Sequence, residues 1–228
     1  MSNPSFWLRP EPSSRQPRLS RAKIAAAALD IADREGFAEV SMRRVAQALD
    51  AGTMSLYYYV KTRDELVALM DDALMAEALL PAPRSDWPGA LLAIAKQTHA
   101  LFMRHPWALA TLRTVPPGPN TLRHGEQCLH ALRETSLSAK QKLTLLALVD
   151  DFVFGNALRS AESRVEVDLE FVRAQLATGA FPELSALYAD GRIEPNGDRF
   201  ERGLEALLAT ALAEPPARVK PRRTTKKR

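Results

Sequence analysis

Apolar residues recur along this chain at intervals of three and four, and this spacing sets the fold class. Near the N-terminus Ile24, Ala28 and Ile31 share one helical face. Near the C-terminus a second stripe is formed by Phe200, Leu204, Leu207, Leu208, Ala211 and Leu212. Beyond residue 86 no segment has the sustained apolar–polar alternation of a half-buried strand. The sequence therefore predicts an all-α protein.

Capping residues, glycines and prolines divide this pattern into helices. Ser20 and Ser41 stand where N-caps belong, and Thr62-Arg-Asp-Glu65 and Ser138-Ala-Lys-Gln141 have the spacing of capping boxes. The predicted helices cover residues 21–35, 42–49, 53–59, 62–79, 87–104, 106–114, 119–135, 138–162, 166–178 and 197–213.

Net charge differs between the segments of the chain. Residues 1–61 carry a net charge of +3 and residues 62–214 carry −6, while residues 215–228 hold seven basic side chains and no acid. We therefore expect a polyanion to contact the ends of the chain and not its acidic middle. Four parts are predicted: a flexible arm at 1–19, a helix-turn-helix domain at 20–66, a larger helical domain at 67–214 and a basic disordered tail at 215–228.

Two helices of the larger domain carry more apolar surface than one buried face needs. Residues 143–158, "LTLLALVDDFVFGNAL", are apolar on nearly every side, so we expect other helices to enclose them. The C-terminal stripe fits two roles that the residues alone do not separate, since it can close the core or pair with a second subunit.

Residues 41–60 have the layout of a helix-turn-helix, whose second short helix buries one face and projects the other into the DNA major groove. At 100° per residue Leu56 and Val60 define the buried direction, which places Tyr58 opposite and its two neighbours at the rims. A rim tyrosine packs its ring on the core while its hydroxyl donates to a phosphate oxygen. Lys61 and Arg63 add charge beside them. The alternative is that the tyrosines only cover a helix face.

The segment "SMRRVAQALDAGTMSLYYYVKTRDELVALM", with the preceding "ALDIADREGFAEVSM", resembles the DNA-binding domain of the tetracycline-repressor (TetR) family. "DW" at 86–87 and "DFVFGNAL" at 151–158 are similar to the body of the branch nearest the tetracycline repressor. The resemblance implies base contacts from Arg43, Thr53, Met54 and Ser55, and phosphate contacts from Ser41, Tyr57, Tyr59 and Lys61. Two positions depart from the family pattern: Asp50 replaces the usual turn glycine, and Gly52 replaces the usual serine N-cap.

For the larger domain the resemblance implies a ligand sensor that dimerises, with helices 138–162 and 197–213 forming a four-helix bundle with their partners. The protein would then be a repressor released from operator DNA by a small-molecule effector. The candidate effector residues are His99, Phe102, Met103, Trp107, Leu112, Phe152 and Asn156. Leu112 and Arg159 stand where the nearest branch of the family has the histidine and glutamate that hold magnesium-bound tetracycline. Because both residues differ from that pair, we expect no bound metal and a mainly apolar effector, anionic or aromatic.

Two other classes of protein remain open at this stage. A helical enzyme is conceivable, although no metal-binding, nucleotide-binding or nucleophile motif is present and we predict no catalytic residue and no cofactor. A ligand-independent DNA-binding protein is the second. One cysteine, Cys128, and the lack of a signal sequence or an uninterrupted apolar run of about 18 residues predict a cytoplasmic protein without membrane contact.

Overall fold

A computed structural model of the chain describes residues 6–12, 19–81, 86–112, 114–161, 168–189 and 199–210. Apart from two short 3-10 helices, the regular elements of these residues are α-helices, so the all-α prediction is confirmed. The helices are α1 (Arg21–Glu35), α2 (Met42–Ala48), α3 (Thr53–Tyr57), α4 (Arg63–Glu77), α5 (Trp87–Arg104), α6 (Ala108–Thr111), α7 (Pro119–Ala131), α8 (Ala139–Ala161), α9 (Leu169–Ala177), α10 (Pro182–Ala189) and α11 (Arg199–Thr210). The basic tail and most of the predicted arm lie outside the described residues.

The predicted caps set the starts of the helices. The Ser20 hydroxyl accepts from the Lys23 amide, and the Thr62 hydroxyl accepts from the Glu65 amide, both over 3.1 Å. Ser138 and Gln141 form the reciprocal pair of a capping box, because the Ser138 amide donates to Gln141 Oε1 over 2.9 Å. Each cap satisfies a backbone amide that has no partner within the first turn of its helix.

The predicted and observed helices differ mainly at three places. The helix predicted at 53–59 ends at Tyr57, and the one predicted at 106–114 is reduced to α6. No helix is predicted between residues 178 and 197, yet α10 begins at Pro182. Proline is favourable in a first helical turn because its fixed φ suits that turn and its missing amide has no partner to lose there.

The buried residues form two cores that meet along α4. The N-terminal core collects Ile24, Ala28, Ile31, Val45, Leu56, Val60, Leu66 and Met70. The C-terminal core collects Leu74, Leu91, Leu101, Leu132, Leu145, Val149, Val153 and Leu204. Met70 and Leu74 lie one turn apart on the same helix, so α4 is a structural part of both halves.

Part of the predicted arm packs on the N-terminal core. Phe6 and Trp7 contact that core, and Arg9 Nη2 lies 2.5 Å from Glu65 Oε2. The guanidinium of Arg21 stacks over the Phe6 ring at 4.5 Å. For residues 6–12 the prediction of a flexible arm is therefore wrong. It rested on the many prolines and serines and gave too little weight to the apolar surface of two aromatic rings.

Helix α8 is less enclosed within one chain than its sequence predicts. Its buried residues, Leu145, Val149, Val153 and Ala157, form a single stripe. Leu148 and Leu158 on another face are 50% and 43% exposed. Much of the apolar surface of Leu148 and Leu158 is thus left uncovered by the described residues of the chain.

Candidate functional site

Helices α2 and α3 form the helix-turn-helix. The Ser41 hydroxyl accepts from the Arg44 amide over 3.2 Å and begins α2. Asp50 adopts φ 48° in the turn, the left-handed conformation expected where glycine is usual. Gly52 then occupies the N-cap of α3 without a side-chain hydrogen bond. Leu56 and Val60 are fully buried and fix α3 against the N-terminal core, as predicted.

The three tyrosines have three different environments. Tyr57 is 41% exposed and Tyr58 is 75% exposed, whereas Tyr59 is only 6% exposed. The prediction that Tyr59 lies on a rim is wrong. Since α3 ends at Tyr57 and the Tyr59 amide donates to Leu56 O, the chain turns before Tyr59 and rotates its ring into the core. Tyr57 keeps the predicted half-exposed position.

The other residues predicted to contact DNA are all at least partly accessible to solvent. Arg43, Met54 and Lys61 are exposed, and Ser41, Thr53 and Ser55 are partly buried. Arg63 has a structural role, since its Nη1 donates to Val40 O over 3.1 Å and its guanidinium lies 5.4 Å from the Phe37 ring centroid. Arg43 and Lys61 therefore carry the positive charge of the helix-turn-helix surface.

Behind this surface, α4 runs past a cavity of about 390 Å³ in the C-terminal half. Such a volume lies within the range of small-molecule pockets. Helices α4, α5, α7 and α8 and the segment between α6 and α7 line it. The described lining residues are Asp71, Met75, Thr98, Phe102, Leu112, Val115, Pro116, Pro117, Gly118, Thr121, His124, Asp150, Val153 and Phe154.

Two of the seven predicted effector residues, Phe102 and Leu112, line this cavity. Met103 is 43% exposed on the outer face of α5. His99 and Asn156 form a separate cluster, in which His99 Nε2 lies 2.9 Å from Asn156 Oδ1. The imidazole stacks on Phe200, and Phe200 also contacts Phe152. Burial lowers the pKa of His99, so this neutral ring packs α5 against α8 and α11.

Trp107, the remaining predicted effector residue, lies between the two halves of the chain. Its ring stacks on Phe37 with centroids 5.6 Å apart, and its Nε1 donates to Asp33 Oδ1 over 2.8 Å. His105 Nδ1 lies 2.7 Å from the same oxygen. Trp107 and His105 thereby fasten the segment before α6 to α1 of the helix-turn-helix domain.

The polar groups of the cavity were not predicted. Asp71 Oδ1 accepts from the Thr111 hydroxyl over 3.0 Å, and desolvation raises the pKa of Asp71 to about 6. Thr98 Oγ1 donates to Ile94 O and lies 3.2 Å from His124 Nε2. Burial lowers the pKa of His124, which keeps the ring neutral.

A sequence signal for Asp71 does exist. "MDDAL" places two adjacent acids inside the apolar helix α4, and acids on a buried helix are rare unless they have a partner or a role. Cys128 is an ordinary buried thiol, and burial raises its pKa to about 12.

The fold and these two sites define a DNA-binding regulator: a helix-turn-helix domain shares one helix with a bundle that encloses a ligand-sized cavity. Residues 24–70 match the family model described as bacterial regulatory proteins, tetR family. Residues 80–212 match the model described as tetracyclin repressor-like, C-terminal domain. The chain belongs to the TetR family of transcriptional regulators, a family of DNA-binding proteins and not of enzymes.

Individual relatives agree with this assignment. The chain is 37% identical over 209 residues to the HTH-type transcriptional repressor DrrR1 of Streptomyces coeruleorubidus, covering 85% of this chain and 77% of that protein. Apo ActR from Streptomyces coelicolor superposes with a TM-score of 0.74 at 32% identity, covering 87% of this chain and 97% of ActR. ActR in complex with actinorhodin gives a TM-score of 0.71 at 30% identity, with the same two shares covered.

Two further features are absent from the described residues. None of their helices combines the length and the hydropathy of a membrane crossing. They also contain no group of three or more His, Cys, Asp or Glu side chains placed to hold a metal ion.

Proposed function

We propose that this regulator is a homodimeric repressor that leaves its operator when a small molecule occupies the cavity beside α4. The observation that carries this proposal is that α4 belongs to both halves of the chain. It lines the cavity through Asp71 and Met75. It also supports the helix-turn-helix core through Leu66 and Met70. A ligand that favours one position of α4 therefore changes the placement of the DNA-reading helix.

The DNA-binding part of the proposal assigns roles along α2 and α3. Arg43 reads a base edge, with a bidentate contact to guanine as its preferred pairing, and Thr53, Met54 and Ser55 contact neighbouring bases. Ser41, Tyr57 and Lys61 hold phosphates, which fixes the register of the domain on the duplex. Tyr59 is left out of this set because its ring is buried.

Dimerisation is proposed from the uncovered face of α8. Leu148 and Leu158 expose apolar surface there. Among the described residues, no atom outside the adjoining turns of α8 lies within 4 Å of the position that a Cβ of Gly155 would occupy. A glycine flanked by exposed leucines lets a second helix approach closely. Paired recognition helices must also reach half-sites about 34–36 Å apart, a spacing that two identical copies provide.

The coupling between the cavity and the DNA runs through two connections. The first is α4 itself. The second is α6, which holds Asp71 through Thr111 at its end and follows directly on His105 and Trp107, the residues fastened to Asp33. A ligand that moves either helix changes the angle between the halves. Because this coupling is an equilibrium property, the ligand changes DNA affinity by the same factor by which DNA changes ligand affinity.

The proposed setting is the bacterial cytoplasm, where a regulator of this family meets its operator. The proposed domain division keeps residues 20–66 as the DNA-reading unit and residues 67–214 as the sensing and dimerising unit. Leu69 and Met70 belong to the core of the former although they lie beyond this boundary.

An experiment in two stages tests the proposal. The operator is first recovered by selecting duplexes from a random DNA library with the full chain. Actinorhodin, named in the ActR complex, and a panel of aromatic compounds are then added to the protein–operator complex. We expect at least one compound to raise the Tm of the free protein and to release the DNA.

A cavity-filling variant provides the control for this experiment. Leu112→Trp should keep operator binding and lose the response to the compound, whereas Leu122→Trp on the exposed face of α7 should keep both. Operator binding that no compound alters would favour a ligand-independent DNA-binding protein instead.

A further inference from the structure

Two adjacent carboxylates on α4 have opposite hydrogen-bonding environments. Both oxygens of Asp72 are engaged by Asn120, whose backbone amide donates to Oδ1 over 2.7 Å and whose Nδ2 donates to Oδ2 over 2.9 Å. This pair fastens α4 to the start of α7. These hydrogen bonds explain why a carboxylate is present at position 72.

Asp71 has no such explanation. Asp71 is only 6% exposed, and the Thr111 hydroxyl donates a hydrogen bond to its Oδ1. Asp71 Oδ2 is fully buried and has no hydrogen-bond partner among the described residues. A buried acceptor without a partner costs free energy, and an ionised one costs more than a neutral one.

The position of this carboxylate points to a ligand. Asp71 lines the cavity together with apolar side chains that include Met75, Phe102 and Val153. We propose that Asp71 is the polar recognition residue of the cavity, and that its free oxygen accepts a hydrogen bond from a hydroxyl group on a largely apolar, aromatic ligand. This inference rests on the proposed function, because it names the chemistry of the effector that the cavity binds.

The chemistry of the donor follows from the charge of the acceptor. With a pKa of about 6, Asp71 is mostly ionised at pH 7.5. A hydroxyl that donates to a buried carboxylate makes a short, charge-assisted hydrogen bond, which is stronger than one between neutral groups. A ligand without a donor at this point would leave the carboxylate as poorly satisfied as it is in the free protein.

The anionic effector considered from the sequence does not suit this position. A ligand carboxylate placed beside Asp71 would bring two like charges together in a site of low polarity. No lysine or arginine is found among the described residues that line the cavity. A neutral aromatic alcohol or phenol fits the lining better.

Contact at Asp71 also explains how binding is transmitted. The residue follows Met70 of the N-terminal core directly, and Thr111 connects it to α6. A ligand hydroxyl at Oδ2 therefore acts on the helix that the two halves share, whereas a purely apolar contact deeper in the bundle would not.

The test compares 2-naphthol with its methyl ether, 2-methoxynaphthalene, on the full chain at pH 7.5. The two probes share an aromatic frame and differ in the hydrogen-bond donor. Calorimetric titration measures the affinity of wild type, Asp71→Asn and the control Asp151→Asn, which alters an exposed carboxylate of α8 outside the lining. Because asparagine has the shape of aspartate and removes a buried charge, Asp71→Asn should fold.

We expect wild type and Asp151→Asn to bind 2-naphthol about tenfold more tightly than the ether, the ratio that a hydrogen bond to a charged group provides. Asp71→Asn should lose most of this preference while binding the ether as wild type does. A preference that survives in Asp71→Asn, or equal binding of both probes by wild type, would overturn the role of Asp71 and leave the sensor function standing. If neither probe binds and no compound of the panel raises the Tm, the inference and the proposed function fail together.

Discussion

The indole nitrogen of Trp107 donates to Asp33 Oδ1 over 2.8 Å, and this bond joins the two halves of the chain. Asp33 belongs to α1 of the helix-turn-helix domain, and Trp107 precedes α6 beside the cavity. His105 shares the same oxygen. A single carboxylate thus holds two side chains from the sensing half, so its removal should affect communication between the halves more than either core.

We expect Asp33→Ala to retain the fold and to lower the free energy of unfolding by about 1–2 kcal/mol, because two hydrogen-bond donors lose their acceptor. The concentration of ligand needed to release operator DNA should also change. Chemical denaturation and DNA release measured on the same preparation check both effects. Asp30→Ala is the matched control, since the ion pair between Asp30 and Arg34 is exposed and should contribute little. Identical ligand responses in Asp33→Ala and wild type would argue against coupling through this contact.

Tyrosine hydroxyls of α3 and the turn after it should differ in their importance for DNA. Tyr57→Phe should weaken operator binding by roughly 1 kcal/mol, the net contribution of one hydrogen bond, and should do so equally for all sequences. Tyr58→Phe should have no effect on the phosphate contacts that we assign. Fluorescence anisotropy with the selected operator distinguishes them, and a larger loss for Tyr58→Phe would reverse the assignment.

Neighbouring arginines of α2 provide a second comparison. Arg43 is exposed, whereas Arg44 is held in an ion pair with Glu35. Arg43→Ala should reduce discrimination at one base pair by about 1–3 kcal/mol, the value of a good bidentate contact. Arg44→Ala should leave the sequence preference unchanged. Binding to a set of operators with single base changes measures this difference, and a preference that Arg43→Ala does not alter would exclude a base contact.

The buried carboxylate of Asp71 predicts a specific dependence of stability on pH. Because its pKa rises from 3.8 to about 6 on folding, the folded state holds this proton more tightly than the unfolded state does. The contribution of Asp71 to stability is therefore lost as the pH rises from about 4 to above 6. Replacing the group with a neutral one should stabilise the protein at pH 7.5 by up to about 3 kcal/mol.

Unfolding of Asp71→Asn and wild type at pH 4, 6 and 7.5 checks this prediction. The two proteins should converge toward pH 4, where Asp71 is protonated in the folded state and already partly protonated in the unfolded state. The neighbouring Asp72 and the cavity residues His124 and Asp150 are present in both proteins and cancel in the difference. A stability difference that stays constant across this range would mean that the pKa of Asp71 is not raised.

The uncovered face of α8 predicts a variant that is monomeric. Leu148→Glu places a charge within the proposed dimer contact, so we expect a monomer at micromolar concentration and a loss of operator affinity of at least tenfold. Leu122→Glu, on the more exposed leucine of α7, is the control. Light scattering after size exclusion gives the mass directly, and an unchanged dimer would place the interface elsewhere.

Local patterns predicted the helix-turn-helix well. The caps at Ser41 and Thr62, the left-handed turn at Asp50 and the buried pair Leu56 and Val60 all follow from short-range geometry. The burial of Tyr59 does not follow from such geometry. A helical wheel assumes that the helix continues, whereas α3 ends two residues before Tyr59.

The cavity was less accessible to prediction. Phe102 and Leu112 line it, but Trp107 contacts Phe37, a residue 70 positions earlier in the chain. Helical periodicity identifies which face of a helix is buried and not which other helix covers it. Residue type alone therefore does not separate an aromatic side chain that lines the cavity, such as Phe102, from one that packs elsewhere, such as Trp107.

The shared helix α4 restricts how nature or an engineer can recombine this chain. A fragment that stops at residue 66 would lose Leu69 and Met70 and expose the apolar surface they cover. A chimera that joins this helix-turn-helix domain to a different sensor domain would need its junction after Met70. The residue at position 71 would then come from the new sensor domain. A change of effector specificity would therefore replace the residue next to this junction. The new ligand contact would lie where the two domains meet.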